Sequence, residues 1–289
     1  MKNKRTARGN GPFFLILFCC DPNFGRVTSE RYSEKRLETM AEIIQNCFKR
    51  YEKKFLLTKA QYEAVKAGIE GHMEPDAHAN YTICNLYYDT DDWQLIRESI
   101  EKPAYKEKLR VRSYGIAKEM DNVFVEIKKK YDGVVYKRRI VLPAREAALY
   151  LKSGLLTKPS QISREINWLR NRLPLKPKVF IGYDREAFAG IKGIENPELR
   201  VTFDTNLRYR EDRLDLRKGD DGYPLLDSGK ILMEIKIPGT APLWLARLFS
   251  ENDIHMTSFS KYGTYYQSVV MGHGAANTKE NQNHVRFYA

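Results

Sequence analysis

Arginine and lysine occupy every second position in part of this chain, a pattern suited to binding phosphate. Lys108, Arg110 and Arg112 alternate with Leu109 and Val111. Successive side chains of a strand point to opposite faces, so this segment predicts a strand with one apolar and one cationic face. Guanidinium groups bind phosphate oxygens through paired hydrogen bonds, and lysine adds a mobile point charge. The spacing therefore predicts a sheet face that holds a polyanion.

The next two segments repeat this alternation and are joined by a hairpin signal, Asp132-Gly133. Like charges that lie opposite each other across strands destabilise a sheet, so an anion is expected to neutralise such a face. A solvated basic face is the alternative. In the second segment, the apolar side carries Val123, Val125 and Ile127, and the other side carries Glu126, Lys128 and Lys130. The third segment carries the basic cluster Lys137, Arg138 and Arg139.

Length and composition limit the classes of protein that fit. The chain has 289 residues, a formal net charge of +12 and 42% hydrophobic residues. This is enough to build one large domain with peripheral helices. The basic balance predicts an anionic partner, which could be nucleic acid, a membrane surface or a phosphate-rich small molecule. Four cysteines occur without a CxxC pair, which argues against a zinc site or a disulfide framework and favours a reducing compartment.

Hydrophobic periodicity and capping signals predict the elements that would position these residues. Asp89 to Asp92 are interpreted as a helix cap, with a carboxylate metal cluster as the alternative. Residues 214–226 are expected to form a loop or a short hairpin. Strands are predicted at 48–57, 81–88, through 105–142 as the central hairpin, and at 179–188, 199–209 and 231–237. Helices are predicted from Thr58 to about residue 72, and at 93–100, 145–152, 160–173, 244–251 and 260–271.

The two ends of the chain differ from its middle. Residues 1–47 contain a basic start and an apolar run at 13–20, which is too short to span a bilayer and has no cleavage site after it. We expect this segment to be an extension outside the core, with Met40 as an alternative start and a weak membrane anchor as the minority interpretation. The tail at 272–289 is polar and is expected to be disordered.

Seven short motifs follow one another along the middle of the chain: RYEKKF, KLRVRSYG, VEIKKKYDGVVYKRR, YDREAF, LRVTFD, MEIKIP and FSKY. In this order they resemble the VTC domain, the polyphosphate polymerase branch of the triphosphate tunnel metalloenzymes (CYTH-like superfamily). The resemblance covers residues 48–271. It implies an α+β fold in which an antiparallel β-barrel forms a tunnel with helices around it. Cationic side chains would fill the tunnel, which must hold water and anions because an unpaired buried ammonium group is very costly.

The resemblance also implies roles for individual residues. Glu234 would be the metal ligand, because it is a carboxylate on an otherwise basic strand and Mn²⁺ or Mg²⁺ prefers carboxylate and phosphate oxygens. A salt-bridge role for Glu234 is the alternative. Lys137 is chosen over Arg138 and Arg139, although a shift of one residue would reverse the face. Substrate phosphates would be bound by Lys54, Arg110, Arg112, Lys128, Lys137, Arg185, Arg200, Lys236 and Lys261, of which Arg110, Arg112, Lys128, Arg185 and Lys261 would be catalytic.

The activity implied by the resemblance is transfer of the ATP γ-phosphoryl group to a growing polyphosphate chain. The wider superfamily opens with an ExExK strand, whereas here only Glu52 remains beside Arg50 and Lys54, which favours the polymerase branch. A metal-dependent triphosphatase and a non-catalytic polyphosphate- or inositol-polyphosphate-binding module stay open as alternatives. Asp184 and Asp204 are expected to be structural partners of neighbouring arginines.

The implied partners are ATP and inorganic polyphosphate, with a membrane protein for product export left open. Nucleic acid is disfavoured, because stacking aromatic residues do not appear concentrated on the basic faces. The expected location is the cytoplasm, with the inner face of the membrane as the alternative.

Overall fold

The computed structural model describes residues 51–132 and 134–272, apart from the side chains of residues 77 and 78. The predictions for residues 1–47, including the apolar run and the alternative start at Met40, lie outside the described residues. The same is true of the predicted tail beyond residue 272. Within the described part of the chain, no helix combines the length and apolarity needed to cross a bilayer.

In the part of the chain that the structure describes, ten strands and six helices are present, and the longer ones follow the predicted order. The predicted loop at 214–226 contains the short strand β8, which pairs with β7. The strands are β1 (Tyr51–Leu57), β2 (Met73–Asp89), β3 (Tyr105–Tyr114), β4 (Asn122–Tyr131), β5 (Val134–Pro143), β6 (Lys176–Gly190), β7 (Arg200–Arg210), β8 (Tyr223–Pro224), β9 (Ile231–Ile237) and β10 (Met256–Thr257). The helices are α1 (Lys59–Gly68), α2 (Gln94–Ile100), α3 (Ala144–Ser153), α4 (Gln161–Arg172), α5 (Leu243–Glu251) and α6 (Lys261–Tyr265), which continues into a π-helical turn at Tyr266–Val270.

All described strand pairs are antiparallel and belong to one sheet. Its order is β10-β1-β9-β7-β6-β2-β3-β4-β5, with β8 beside β7. The predicted hairpin joins β4 and β5, because Tyr131 pairs directly with Val134 across the two-residue turn. The strands at the two ends of this order, β10 and β5, pair with β1 and β4 respectively. No hydrogen-bonded pairing joins these two edges within the described residues, so the expected closed barrel is not confirmed.

The sheet nevertheless curves strongly. Strands β1 and β3 are five positions apart in the sheet order, a separation of about 24 Å if the sheet were flat. Yet Lys54 of β1 and Lys108 of β3 reach adjacent residues, since their Nζ atoms donate to Phe259 O at 3.0 Å and to Ser260 Oγ at 3.2 Å. The sheet therefore has a concave face, and the segment before α6 crosses its open side.

Apolar side chains on the convex face pack under the helices in two clusters. One lies beneath α3 and α4 and includes Leu109, Val111 and Ile127. The second lies beneath α1 and α5 and includes Val201 and Ile235. These strand residues are the ones that the sequence assigns to the apolar face. The residues that alternate with them along each strand therefore point to the concave side. A third cluster contains residues of α2 and α6, and in it Tyr262 stacks on Tyr87 of the concave face with ring centroids 4.5 Å apart.

Local capping fixes the helix ends as the sequence predicts. Thr58 and Ser160 each form a capping box at the start of α1 and α4. The Asp89 carboxylate accepts from the backbone of Leu95 and Ile96, so it caps α2. Within the predicted capping segment Asp89 to Asp92, the cap is thus formed by Asp89 and by Thr90, whose Oγ1 accepts from Gln94 N at 2.8 Å. Among the described residues, no group of acids, histidines and cysteines is arranged to hold a metal ion.

Candidate phosphate-binding face

The concave face carries a group of cations and carboxylates drawn from distant parts of the chain. Two carboxylates, Glu126 and Glu234, each form ion pairs with several cations. Lys108 and Lys128 share the face and form no ion pair within the described residues. The strands that contribute are β1, β3, β4, β5, β6, β7 and β9, and α6 supplies Lys261 from the open side.

The first centre, here named the carboxylate hub, consists of Asp204, Glu234, Arg185, Lys261 and Lys54. Arg185 donates Nε and Nη2 to the two Asp204 oxygens at 2.5 and 2.7 Å, and Nη2 also reaches Glu234 Oε2 at 3.2 Å. Lys261 Nζ lies 2.5 Å from Asp204 and 3.2 Å from Glu234 Oε1, and Lys54 Nζ lies 3.7 Å from the same Glu234 oxygen. The prediction that Asp204 is a structural partner of an arginine agrees with this geometry.

The electrostatics of the hub favour ionised side chains. Burial alone would raise the pKa of Glu234, but Lys261 and Arg185 outweigh it, and the pKa lies well below its usual range. The carboxylates in turn raise the pKa of Arg185 and of Lys261, against the opposing effect of burial. The opposite charges in the hub offset the cost of burying each other. Removal of one of them is therefore expected to destabilise the folded protein strongly.

The hub is not by itself a metal site. Both oxygens of Glu234 are engaged, one by Arg185 and the other by Lys261. The neighbouring Asp204 binds the same two cations. A divalent ion could use Glu234 only if phosphate oxygens or waters supplied most of its other ligands, which is the usual mode for Mg²⁺. The residues present therefore do not fit a metal site built from protein ligands alone.

The second centre is Glu126 on β4, a residue that the sequence interpretation placed on the basic side but to which it gave no role. Its Oε2 accepts from Arg110 Nε at 2.7 Å and lies 3.8 Å from Arg112 Nε, while Lys137 Nζ is 2.9 Å from Oε1. Burial opposes ionisation, but Arg110 and Arg112 dominate and lower the pKa of Glu126 to about 2. Arg110 also donates to the Tyr87 hydroxyl at 3.2 Å.

A row of lysines on three adjacent strands consists of Lys108, Lys128 and Lys137, which lie directly opposite one another, and Lys137 is also part of the Glu126 centre. Within the described residues, Lys108 and Lys128 form no ion pair. Burial, followed by repulsion from Lys128, Lys106 and Lys54, lowers the pKa of Lys108 to about 7. Burial likewise lowers the pKa of Lys137 to about 8, despite the opposing effect of Glu126. This lysine row is the part of the face that most lacks anions.

Most of the predicted binding residues come together here, but Arg200 does not join the ion-pair clusters. Its Nη1 donates to the carbonyls of Pro197 and Leu199 at the start of β7. Lys236 pairs across strands with Arg200 and Glu52, and burial lowers its pKa. Arg138 points to the other side, where it binds Glu165 of α4 at 2.9 Å, so the register favours Lys137 over Arg138 on the concave face.

Three parts of this site received no role from the sequence. The alternation placed Glu126 and Lys108 on the basic faces, but neither was named as a binding residue. Asn85, whose side-chain Oδ1 accepts from Arg112 Nε at 3.0 Å, could not be identified in this way because it lies in an apolar run of the sequence. Stacking aromatic residues were not expected to be concentrated on the basic faces, but Tyr81, Tyr114 and Phe124 meet at one end of the concave face.

A family model described as the VTC domain matches residues 49–270 of this chain. No curated protein matches by sequence. Among solved structures, a candidate adenylate cyclase from Bacillus halodurans has 16% identity and a TM-score of 0.45, with 72% of this chain and 92% of that chain covered. A candidate adenylyl cyclase from Hippeastrum, described with a dominant triphosphatase activity, has 13% identity and a TM-score of 0.48, covering 75% and 95%. The Mimivirus capping enzyme triphosphatase has 10% identity and a TM-score of 0.29, covering 76% and 96%. Overlaps this weak say nothing about the activity of this chain.

Proposed function

The chain belongs to the VTC-domain family, and from that premise we propose that it is a polyphosphate polymerase. It would transfer the γ-phosphoryl group of ATP to the terminal phosphate of a growing chain and release ADP. The observation that supports this best is the lysine row, in which Lys108 and Lys128 face each other on adjacent strands. A protein that keeps like charges together on adjacent strands gains most when a polyanion lies among them.

Phosphoryl transfer depends mainly on positioning and on neutralising charge, and an acceptor phosphate oxygen can itself be the nucleophile. Arg110 and Arg112 would orient a phosphate through paired hydrogen bonds from their guanidinium groups. Lys128 and Lys137 would contact further phosphates of the polyphosphate as mobile positive charges. Arg185 and Lys261 would contribute from the carboxylate hub. For the sheet to enclose a tunnel, its two edge strands, β10 and β5, would have to be connected by contacts other than strand pairing.

A divalent ion, when bound with the substrate phosphates, would neutralise charge that develops during transfer. Glu234 is the proposed protein ligand, with Mn²⁺ or Mg²⁺ as the ion. Each Glu234 oxygen already accepts one hydrogen bond, from Arg185 or from Lys261 at 3.2 Å, so the ion would share this carboxylate with the two cations.

The second candidate is a polyphosphate-binding module that converts no ATP. The engagement of both Glu234 oxygens by cations favours it, because Arg185 and Lys261 already neutralise the carboxylate that a metal ion would need. Such a module would use the same lysine row and the same arginines. It differs from the polymerase only in what happens to bound ATP.

One incubation separates these functions. The chain is mixed with ATP and Mn²⁺ or Mg²⁺, and nucleotides, free phosphate and long-chain polyphosphate are measured together. A polymerase yields ADP and polyphosphate in parallel. Release of inorganic phosphate without chain growth would identify a triphosphatase instead. Binding of ATP and polyphosphate without any turnover would identify the binding module and overturn the polymerase.

A further inference from the structure

Three aromatic side chains meet at one end of the concave face, and we call them the aromatic shelf. Tyr81, Tyr114 and Phe124 come from β2, β3 and β4. Tyr114 contacts Tyr81 at 5.4 Å and Phe124 at 5.6 Å between ring centroids, both edge to face. The Arg139 guanidinium lies over the Phe124 ring at 4.8 Å. Although these rings touch one another, Tyr114 remains 52% exposed, so an aromatic surface is left open to solvent.

The shelf continues directly from the phosphate-binding residues. Tyr114 has the same parity on β3 as Arg112 and Arg110, so all three side chains leave the strand on the concave side. Phe124 is the direct cross-strand partner of Arg112. On the opposite side, Tyr81 pairs across strands with Arg185 of the carboxylate hub. The aromatic shelf is therefore adjacent to the phosphate-binding cations on three neighbouring strands.

The spacing corresponds to one class of ligand. Four residues along a strand separate Tyr114 from Arg110, a distance of about 13 Å. This is comparable with an extended nucleoside triphosphate measured from its base to its γ-phosphate. A base on the Tyr114 ring would thus leave the phosphates beside Arg112 and Arg110. The opposite end of β3 carries Lys106 and Lys108, and among the described residues the exposed rings at that end, Tyr105 and Tyr131, have the parity of the other face. The concave face there suits a phosphate chain without a base.

We propose that the aromatic shelf binds the base of the nucleoside triphosphate whose phosphates lie on the concave face. The proposal rests on the proposed function, which requires such a substrate. Base stacking on tyrosine and phenylalanine tolerates different bases, because every base presents a π-face. Arg139 adds a cation beside the same rings. The base then lies at the shelf end of the face, and the growing phosphate chain extends toward Lys106 and Lys108.

Two ligands that differ in the base test this proposal in binding experiments. ATP carries the base and tripolyphosphate lacks it, so each variant is measured with both. We expect Tyr114→Ala to weaken ATP binding by about fivefold or more, while tripolyphosphate affinity stays within about twofold of the parent. Tyr114→Phe keeps the ring and should bind ATP like the parent. Tyr131→Ala, which removes a 60% exposed tyrosine from the other face of the sheet, is the matched control.

The possible outcomes have distinct meanings. Equal losses for ATP and tripolyphosphate in Tyr114→Ala, or no loss for either, overturn the shelf while leaving the proposed function in place. Loss of ATP binding in Tyr114→Phe as well as in Tyr114→Ala also overturns it, because the ring is then not what the ligand recognises. If the parent chain binds neither ligand, the proposed function fails and the shelf proposal fails with it.

Discussion

The carboxylate hub and the lysine row are both rich in cations, but they are neutralised in opposite ways. In the hub, Arg185 and Lys261 are held by Asp204 and Glu234 within 3.2 Å. In the row, Lys108 and Lys128 have no ion pair among the described residues. Burial instead lowers the pKa of both amines, and repulsion from Lys128 lowers that of Lys108 further. The hub is therefore neutralised from within the chain, whereas Lys108 and Lys128 are left as an excess of positive charge.

The largest expected effect is on the hub. Asp204→Asn removes a fully buried carboxylate that pairs with both Arg185 and Lys261. Leaving these cations with only their longer contacts to Glu234, at 3.2 Å, should lower the free energy of unfolding by about 3–5 kcal/mol. Denaturant unfolding of the variant measures the change. Asp253→Asn, in which an exposed carboxylate is lost, should unfold like the parent. A loss below about 1 kcal/mol in Asp204→Asn would contradict the view that the hub is a structural unit.

A second substitution in the hub separates stability from catalysis. Glu234→Gln should cost less stability than Asp204→Asn, because Asp204 still holds Arg185 and Lys261. If Glu234 is the metal ligand, turnover should fall about 100-fold while much of the ATP affinity remains. Initial rates across a Mn²⁺ titration test this, with Glu63→Gln, which changes an exposed carboxylate on α1, as the control. Unchanged metal dependence in Glu234→Gln would show that Glu234 is only a salt-bridge partner.

Adjacent residues of β4 allow a test of the lysine row. Lys128→Ala removes a row lysine and should weaken tripolyphosphate binding by about tenfold or more, as expected for a lost charge-assisted contact. Its ligand-free stability should not fall, because a like-charge repulsion is relieved. Lys129 points to the other face and lies 3.3 Å from Glu165 of α4. Lys129→Ala should therefore leave tripolyphosphate affinity unchanged, and a similar loss of affinity in both variants would contradict the assignment of faces.

The smallest expected effect is a pH dependence with opposite signs for folding and binding. The folded-state pKa of Lys108 is about 7, against an ordinary value of 10.5. Between these values the unfolded chain binds more protons, so Lys108 makes the ligand-free protein more stable as pH rises from 7 to 10. A polyanion favours the protonated amine, so binding should take up protons and weaken as pH rises over the same interval.

Two measurements check these signs. Calorimetric titration with tripolyphosphate in buffers of different ionisation enthalpy gives the number of protons taken up near pH 8, and thermal unfolding at pH 7 and pH 9 gives the stability trend. Lys108→Gln should reduce both effects, whereas Lys53→Gln on the opposite face of β1 should retain them. Proton uptake that is identical in the parent and in Lys108→Gln would remove Lys108 from the explanation.

Much of the fold could be predicted from the sequence because its signals are local. The two-residue period of strands assigned Leu109 and Val111 to the core and Arg110 to the basic side, and the structure agrees. Capping by Thr58 and Asp89 was predictable because each side chain bonds backbone groups a few residues away. The family also followed from the order of short motifs.

Only the tertiary structure decided how these segments meet. Arg185, Asp204, Glu234 and Lys261 form one hub because β6, β7, β9 and α6 become neighbours, and local periodicity carries no information about strand order. The same holds for the pKa of Lys108, which depends on burial and on Lys54 from a distant strand. Arg200 has the predicted parity, but nearby carbonyls bind its guanidinium. Parity is a local property of one strand, whereas pairing, burial and electrostatic interaction depend on residues far apart in the sequence.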